Sequence, residues 1–563
     1  MLPVNCGSHT DYQNFIVTNL RKYYPNPNAL ARSTWDIIER FWNLDLSFTD
    51  TLMTDKYSKF GPAPRTPSCM QRSYLLSIDF KVTSLTEWAA QLKMNPLYAI
   101  LSGFEPGNTP GVGTFYDFIN RLWNSDDDHM SPHIHPLKTK VKKPKTKGTK
   151  ADPVEKVTVA DLLPSLEKTD FILDEQPYSS LFKIYQKEFL EISVSTGLIR
   201  ADALALAGDG TPVVTSHRER KKRICKCKDN GITDCKCDRY FSQPDCDIGW
   251  DSSRDCYYHG YDLYMLVDSQ SDLPVFPHFC CASKHDSHGF LHAFFRMRSF
   301  LPDYTVSKVL LDSAHDAMPY YQYFKRKNIT PFIDLNGKGG RPPIYKNDLT
   351  IDKDGVPICP SGYRMRRDGI EVAKGRMKFK CPKISHAGGC ISCTCEKPCS
   401  NAKYGRTVHL VLKDNPRLFN NPPRSSKEWK LEYNARTSAE RSNKREKLDF
   451  KLEDGRHRST KMWYCRLYHI LMLQHLDAWD LPPESTLKTL HLFIFNIILF
   501  QKVFHCENLW CFDIQHQKVF IPGQKYINPF HNCSCKYRGI FFIPPFRELV
   551  QIQVFRCIDQ FKW

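Results

Sequence analysis

The sequence predicts an α/β protein, with a helical domain in front and a cysteine-rich insertion late in its regular part. Three observations carry this expectation. Residues 30–125 repeat apolar side chains every three or four positions, the period of amphipathic helices. Residues 307–335, SKVLLDSAHDAMPYYQYFKRKNITPFIDL, read as strand, helix, strand, a βαβ unit whose crossover should be right-handed. Residues 340–426 lose both periods and gather Cys, Pro and Gly.

In chain order, residues 1–130 read as a helical N-terminal domain, either a DNA-binding domain or a plain small bundle. DIIERFWNLDL, RSYLLSIDFK and SLTEWAAQLKMNP are its amphipathic segments, and Ser84 followed by Glu87 has capping-box spacing. The Gly/Pro-rich start of GFEPGNTPGVGTFYDFINRLW feeds a further helix. Residues 131–199 form a basic linker and helical connector. Its KTKVKKPKTKGTK run, 138–150, holds seven lysines and reads as a solvated linker. ALALAGDGTPVVTS (203–216) reads as strand, Asp-Gly turn, strand. YYHGYDLYMLVDSQSDLPVFPHFCCAS reads as a hairpin and SHGFLHAFFRMRSFL as a helix, so residues 200–335 form one sheet-bearing region. The insertion spans 336–430 and is expected to be β or irregular. Residues 431–482 return to helix, a charged one at 432–452 and an apolar one at 459–479. Residues 483–563 change character: the stretch 481–563 holds 12 of the 35 phenylalanines and neither alanine nor methionine. It reads as translated A/T-rich sequence beyond an original stop, or else as a small β domain.

Composition narrows the partner. The 563 residues carry 79 Lys and Arg against 61 Asp and Glu, a net charge of +18. Such a field favours polyanions, nucleic acid first among them. No stretch reaches the roughly 18 apolar residues of a membrane span, and MLPVNCGSHTDYQNF lacks the pattern of a secretory signal. The expected setting is a reducing cytoplasm, where the 22 cysteines point to metal more than to disulfides.

Three acids stand out by position. Asp209 follows the apolar run ALALAG, Asp312 ends KVLLD, and Glu440 lies in the charged helix. Converging carboxylates resist joint ionisation unless a cation joins them. A hard divalent ion such as Mg²⁺ answers that need and suits phosphodiester chemistry. Each acid also has an ordinary structural reading, as a turn or a helix cap, and Asp316 is a rival for Asp312. On an ideal helix of about 100° per residue, Tyr433, Arg436, Glu440 and Lys447 fall within an arc of about 60°. Ion pairing between positions i and i+4 explains Arg436 with Glu440, but not Tyr433 or Lys447.

Tyr433, Arg436, Glu440 and Lys447, in the spacing Y-x₂-R-x₃-E-x₆-K, resemble the YREK signature of bacterial insertion-sequence transposases of the DDE class. GDGTPV around Asp209 and VLLDSAHDAMPYY around Asp312 resemble that group's first and second acid motifs, and NPLYAILSGFEPGNTPGVGTFYDFINRLW its N-terminal helical domain. The resemblance covers about residues 30–480. It implies an RNase H-like mixed sheet with helices on both sides, Asp209 on the first strand, Asp312 on the fourth and Glu440 on a later helix. It implies Mg²⁺ (or Mn²⁺) held by Asp209, Asp312 and Glu440, and transposon-end phosphates gripped by Tyr433, Arg436 and Lys447. Cleavage at terminal inverted repeats would free a 3′-hydroxyl that attacks target DNA. A homodimer at paired ends, in a bacterial cytoplasm and associated with the nucleoid, would be usual. A related nuclease that cuts without joining, or a non-catalytic DNA-binding remnant, are the alternatives.

Two cysteine groups are candidate structural zinc sites. Cys390 and Cys393 form C-x-x-C, which Cys359 and Cys381 would complete. Cys225, Cys227, Cys235 and Cys237 form two C-x-C pairs, a spacing less typical of zinc.

Overall fold

The computed structural model describes residues 7–479 apart from 27–28, 59, 136–156, 216–221, 224, 338–343, 346–348, 386–391 and the single positions 397, 403, 414 and 456. The lysine run 138–150 and the phenylalanine-rich 483–563 lie outside the described residues.

Helices open the chain: α1 (His9–Tyr23), α2 (Arg32–Asn43), α3 (Ser47–Met53), α4 (Pro67–Asp79), α5 (Leu85–Met94), α6 (Pro96–Ser102) and α7 (Val112–Leu122). Their ends follow from local chemistry. Ser8 and Asp11 close a reciprocal box on α1, and the Ser84 hydroxyl accepts from the Glu87 N–H to start α5. Pro67 and Pro96 stand in first turns, where no N–H is needed. α6 stops at Gly103, with φ of +87°, where a Cβ would meet Cys69 Sγ at 2.7 Å.

α4 is buried on nearly every side, Arg72 included. The cause is α15 (Thr460–Ala478), which is also buried almost throughout, as a helix apolar all round must be. Gln71 Oε1 lies 2.9 Å from His469 Nε2, and Tyr74 meets the His469 ring edge-on. One hydrophobic core thus runs from Tyr12 of α1 through the sheet to Leu476 of α15.

Past β1 (Ile134–His135), helices α8 (Val159–Glu167), α9 (Ser179–Tyr185) and α10 (Glu191–Ser195) lead into β2 (Leu204–Val214). Two short strands, β3 (Lys222–Arg223) and β4 (Arg239–Tyr240), form a small sheet with β1. The main sheet adds β5 (Asp247–Asp251), β6 (Cys256–Asp268), β7 (Pro274–Cys281), β8 (Val306–Leu311) and β9 (Thr330–Ile333). Its order is β5-β6-β2-β8-β9, with β7 also on β6. It is a mixed sheet: β2 runs antiparallel to β6 and parallel to β8, and β8 runs parallel to β9 through α12 (Met318–Arg326).

The Asp-Gly turn expected in ALALAGDGTPVV does not form. β2 is one unbroken strand, because β6 pairs along it from Leu206↔Asp268 to Val214↔Gly260. The glycines serve another purpose. Gly208 and Gly210 face α11 (Asp286–Phe300), where a Cβ would lie 2.7 Å from Tyr264 Oη and 2.8 Å from Asp286 Oδ1 respectively. Alternation then turns Asp209 to the opposite face. Pro212 is tolerated because β8 pairs only with Leu204–Ala207 and has ended before it.

The insertion is not structureless. Strands Arg366–Glu371, Arg376–Lys380 and Thr407–Val411 form an antiparallel sheet over a separate core that includes Ile351, Met377, Phe379 and Leu410. Arg376–Lys380 and Thr407–Val411 do alternate buried and open positions, but each over only five residues, too short a run to stand out among the Cys, Pro and Gly around it.

Candidate functional site

Two strands place the first two acids. Ala207 pairs with Leu310 across the parallel β2/β8 ladder. Asp209 and Asp312 stand two residues further along each chain, just past the last pair of that ladder, and the Asp312 charge acts on Asp209. Asp312 leaves its strand as the cap of a short turn, accepting from the Ala314 N–H at 3.1 Å. Its Oδ1 also accepts from His315 Nδ1 at 2.6 Å. His315 is 1% exposed, and its other nitrogen lies 2.9 Å from Tyr264 Oη.

The expected single helix over 432–452 is three pieces: α13 (Lys427–Asn434), α14 (Thr437–Lys444) and a wide π-type turn, Arg445–Asp449. Between α13 and α14 the backbone bonds shorten to i+3, as from Arg436 N–H to Tyr433 C=O, which overwinds the chain. The π turn then underwinds it. An ideal wheel cannot be carried across either change. Tyr433, Arg436 and Glu440 still cluster, with the guanidinium 2.5 Å from Glu440 Oε1 and 5.9 Å from the Tyr433 ring centroid. Lys447 does not join them in contact: its ammonium donates to Pro212 C=O at 2.6 Å and pairs with Glu453 at 3.3 Å. Arg441, the other cation beside Glu440, grips Asp272 through two short bonds.

The electrostatics tie the cluster together. Burial pushes the Asp209 carboxyl up to about 7; Arg436 pulls it down, while Asp286, Asp312 and Glu440 push it further up. Burial also raises Asp312, but His315, the Ala314 N–H and Arg436 outweigh it and leave it below the usual range. Burial opposes the Arg436 charge, yet Tyr433, Glu440 and Asp209 hold its pKa raised. Tyr433, stacked on Trp429, is raised to about 12, chiefly by burial. The arrangement is an excess of carboxylate around one arginine, but Asp209, Asp312 and Glu440 do not form a group with all their ligand oxygens within 4.8 Å of one another.

Sequence reasoning missed His315, Asn443, Asp286 and Asp262. Asn443 Nδ2 approaches Asp209 Oδ2 at 3.4 Å from α14. Asp286 opens α11, and burial raises its carboxyl. Asp262, on β6 opposite Pro212, keeps a buried Oδ2 without a hydrogen-bond partner. His315 and Asn443 each stand three residues past a candidate acid, a spacing that was a usable signal. Asp286 and Asp262 carried none. The rival Asp316 is fully engaged elsewhere: it accepts from Arg417, Tyr321 and the Asn336 N–H.

A second candidate site is made of thiols. The Sγ atoms of Cys225, Cys227, Cys235 and Cys237 lie within 4.8 Å of one another, a group that can hold a metal such as zinc. The other expected set, Cys359, Cys381, Cys390 and Cys393, falls partly outside the described residues. Cys359 and Cys381 are buried in or beside the insertion, Cys390 lies outside the described residues, and Cys393 sits in a two-residue strand, Ser392–Cys393. Among the described residues, no helix is long and apolar enough to cross a membrane. No protein-family model matches the chain, and no curated protein matches it either.

Proposed function

We propose that the chain is a DNA transposase of the DDE class, with an RNase H-like catalytic core, cutting phosphodiester bonds at element ends and joining the freed 3′-hydroxyl to target DNA. The observation that supports this reading is that Asp209 feels the charges of Asp312, Glu440 and Arg436 together, with Arg436 bonded to Glu440. The net charge of +18 suits a DNA partner.

Mg²⁺ or Mn²⁺ held by the three carboxylates would supply Lewis-acid stabilisation of charge on the phosphodiester oxygens. The chain's residues do the rest. β2 and β8 fix Asp209 and Asp312 side by side on rigid backbone. His315 occupies one Asp312 oxygen and leaves the other free. Arg436 holds Glu440 until DNA arrives, then exchanges it for a phosphate oxygen, which releases the carboxylate. Tyr433 offers its phenol to the same phosphate. Lys447 braces the far end of β2 and adds positive charge there. Two chains, each gripping one end, form the working assembly. The zinc suggested by the cysteine pattern takes no part in this chemistry.

The test uses linear DNA carrying the ends that flank the reading frame, with Mg²⁺. The wild-type chain cuts at the ends and joins pre-cut ends to a second DNA, while Asp312→Asn does neither. Cutting without joining supports the nuclease alternative. Binding without either reaction supports the remnant, and full activity of Asp312→Asn sinks the site.

A further inference from the structure

The thiol cluster lies outside the phosphodiester site, in the connection between β2 and β5. β3 and β4 pair through Lys222↔Tyr240 and Arg223↔Arg239, and this hairpin brings the two C-x-C pairs face to face. Cys225 Sγ lies 3.5 Å from Cys235 Sγ, and Cys227 Sγ 3.6 Å from Cys237 Sγ. A zinc ion at about 2.3 Å from each of four tetrahedral sulfurs requires sulfur pairs about 3.8 Å apart. A disulfide requires about 2.05 Å. The spacing is therefore that of a metal-bridged tetrad, not of bonded pairs.

The rest of the loop carries little apolar surface. Between Cys225 and Cys237 the one large apolar residue is Ile232, which is 51% exposed. Turn bonds such as Ile232 N–H to Cys227 C=O give the loop a shape, and its one buried side chain among the described residues is a thiol of the cluster, Cys235. A segment ordered without apolar burial needs a cross-link. Cations ring the cluster as well. Lys226, Lys228 and Lys236 are exposed beside it, and Arg239 donates to the Cys235 C=O. Four thiolates around one Zn²⁺ carry a net charge of −2, which these cations offset in part, since Asp229, Asp234 and Asp238 are exposed in the same stretch.

We propose that Cys225, Cys227, Cys235 and Cys237 bind one zinc ion as four thiolates, releasing their thiol protons to solvent. Four protein ligands fill the tetrahedron and leave no position for water or substrate, so the site is structural. It knots the hairpin that follows the Asp209 strand. This assignment does not depend on the phosphodiester chemistry proposed above.

The full-length chain, purified under reducing conditions without chelator, should carry one zinc per chain by elemental analysis. The cobalt-exchanged chain should show the absorption of tetrahedral cobalt with four thiolates. The double variant Cys227→Ser, Cys237→Ser should lose the metal, and Cys359→Ser, Cys381→Ser should keep it. Chelation should make residues 225–237 open to protease while the rest of the chain stays resistant. A wild-type chain without zinc, or with cobalt absorption lacking the thiolate pattern, overturns the assignment. So does loss of metal confined to the Cys359/Cys381 variant, or a mapped Cys225–Cys235 disulfide.

Discussion

The Asp312 carboxylate accepts a 2.6 Å hydrogen bond from His315, an enclosed imidazole whose far nitrogen meets the Tyr264 hydroxyl at 2.9 Å. A carboxylate can only accept, so the proton on Nδ1 is fixed by its partner. The chain Asp312–His315–Tyr264 sets how the acid points. His315→Ala leaves the buried phenol without its partner and should cost about 1–3 kcal/mol in urea unfolding. It should also weaken Mn²⁺ binding, read by titration, more than Glu432→Ala does, since that variant removes only a half-exposed pair with Lys308.

The two arginines beside Glu440 should behave differently. Arg441 pairs with Asp272 at the surface, and Arg441→Ala should change stability by no more than about 1 kcal/mol. Arg436 is the largest single charge that opposes protonation of Asp209. Arg436→Ala should lift the Asp209 carboxyl further above about 7. Retention of end DNA in Ca²⁺ should then fall at neutral pH and recover as pH rises. Equal behaviour of the two variants would count against the cluster.

Two buried acids predict how stability responds to pH. Burial pushes Glu188 and Glu446 each up to about 8, only partly opposed by Thr49 in one case and by Gln474 and Ser442 in the other. Both folded values exceed the unfolded carboxylate value. Their contribution is therefore complete below about pH 4.5 and is lost as pH rises toward 8. The steepest loss per group is about 1.4 kcal/mol per pH unit. Urea unfolding at pH 5, 6.5 and 8 should show the fall, and Glu188→Gln with Glu446→Gln should flatten it.

Gly208 is the tightest test of β2. An added methyl meets Tyr264 Oη at 2.7 Å and Leu311 at 3.0 Å. Gly208→Ala should cost about 1–3 kcal/mol and pull the phenol off His315. Gly113, which faces open space, supplies the control.

The sequence made much of this legible. Helix period gave α2, α4, α5, α7 and α15, and the strand–helix–strand pattern gave β8, α12 and β9. Local signals failed where tertiary pairing decided the outcome. Asp-Gly reads as a turn in isolation, and β6 alone makes it strand. The Tyr433–Lys447 stripe assumed one ideal helix, while Arg436 sits at an overwound junction and Lys447 in an underwound turn. Asp286 and Asp262 could not be found, because only the folded sheet brings them near Asp209.

Two arginines fasten the insertion to the end of the sheet. Arg417, where it ends, bonds the Asp316 carboxylate and the Asn336 C=O near where it begins. Arg424 reaches back to Ile333 C=O and Tyr321 Oη. Entrance and exit are therefore neighbours, and the core between them is its own. The insertion behaves as a removable cassette. Replacing residues 338–414 with a short Gly/Ser bridge should preserve the two-strand seat of Asp209 and Asp312, whereas Asp316→Ala in the intact chain should cost about 3–5 kcal/mol by stranding a buried guanidinium.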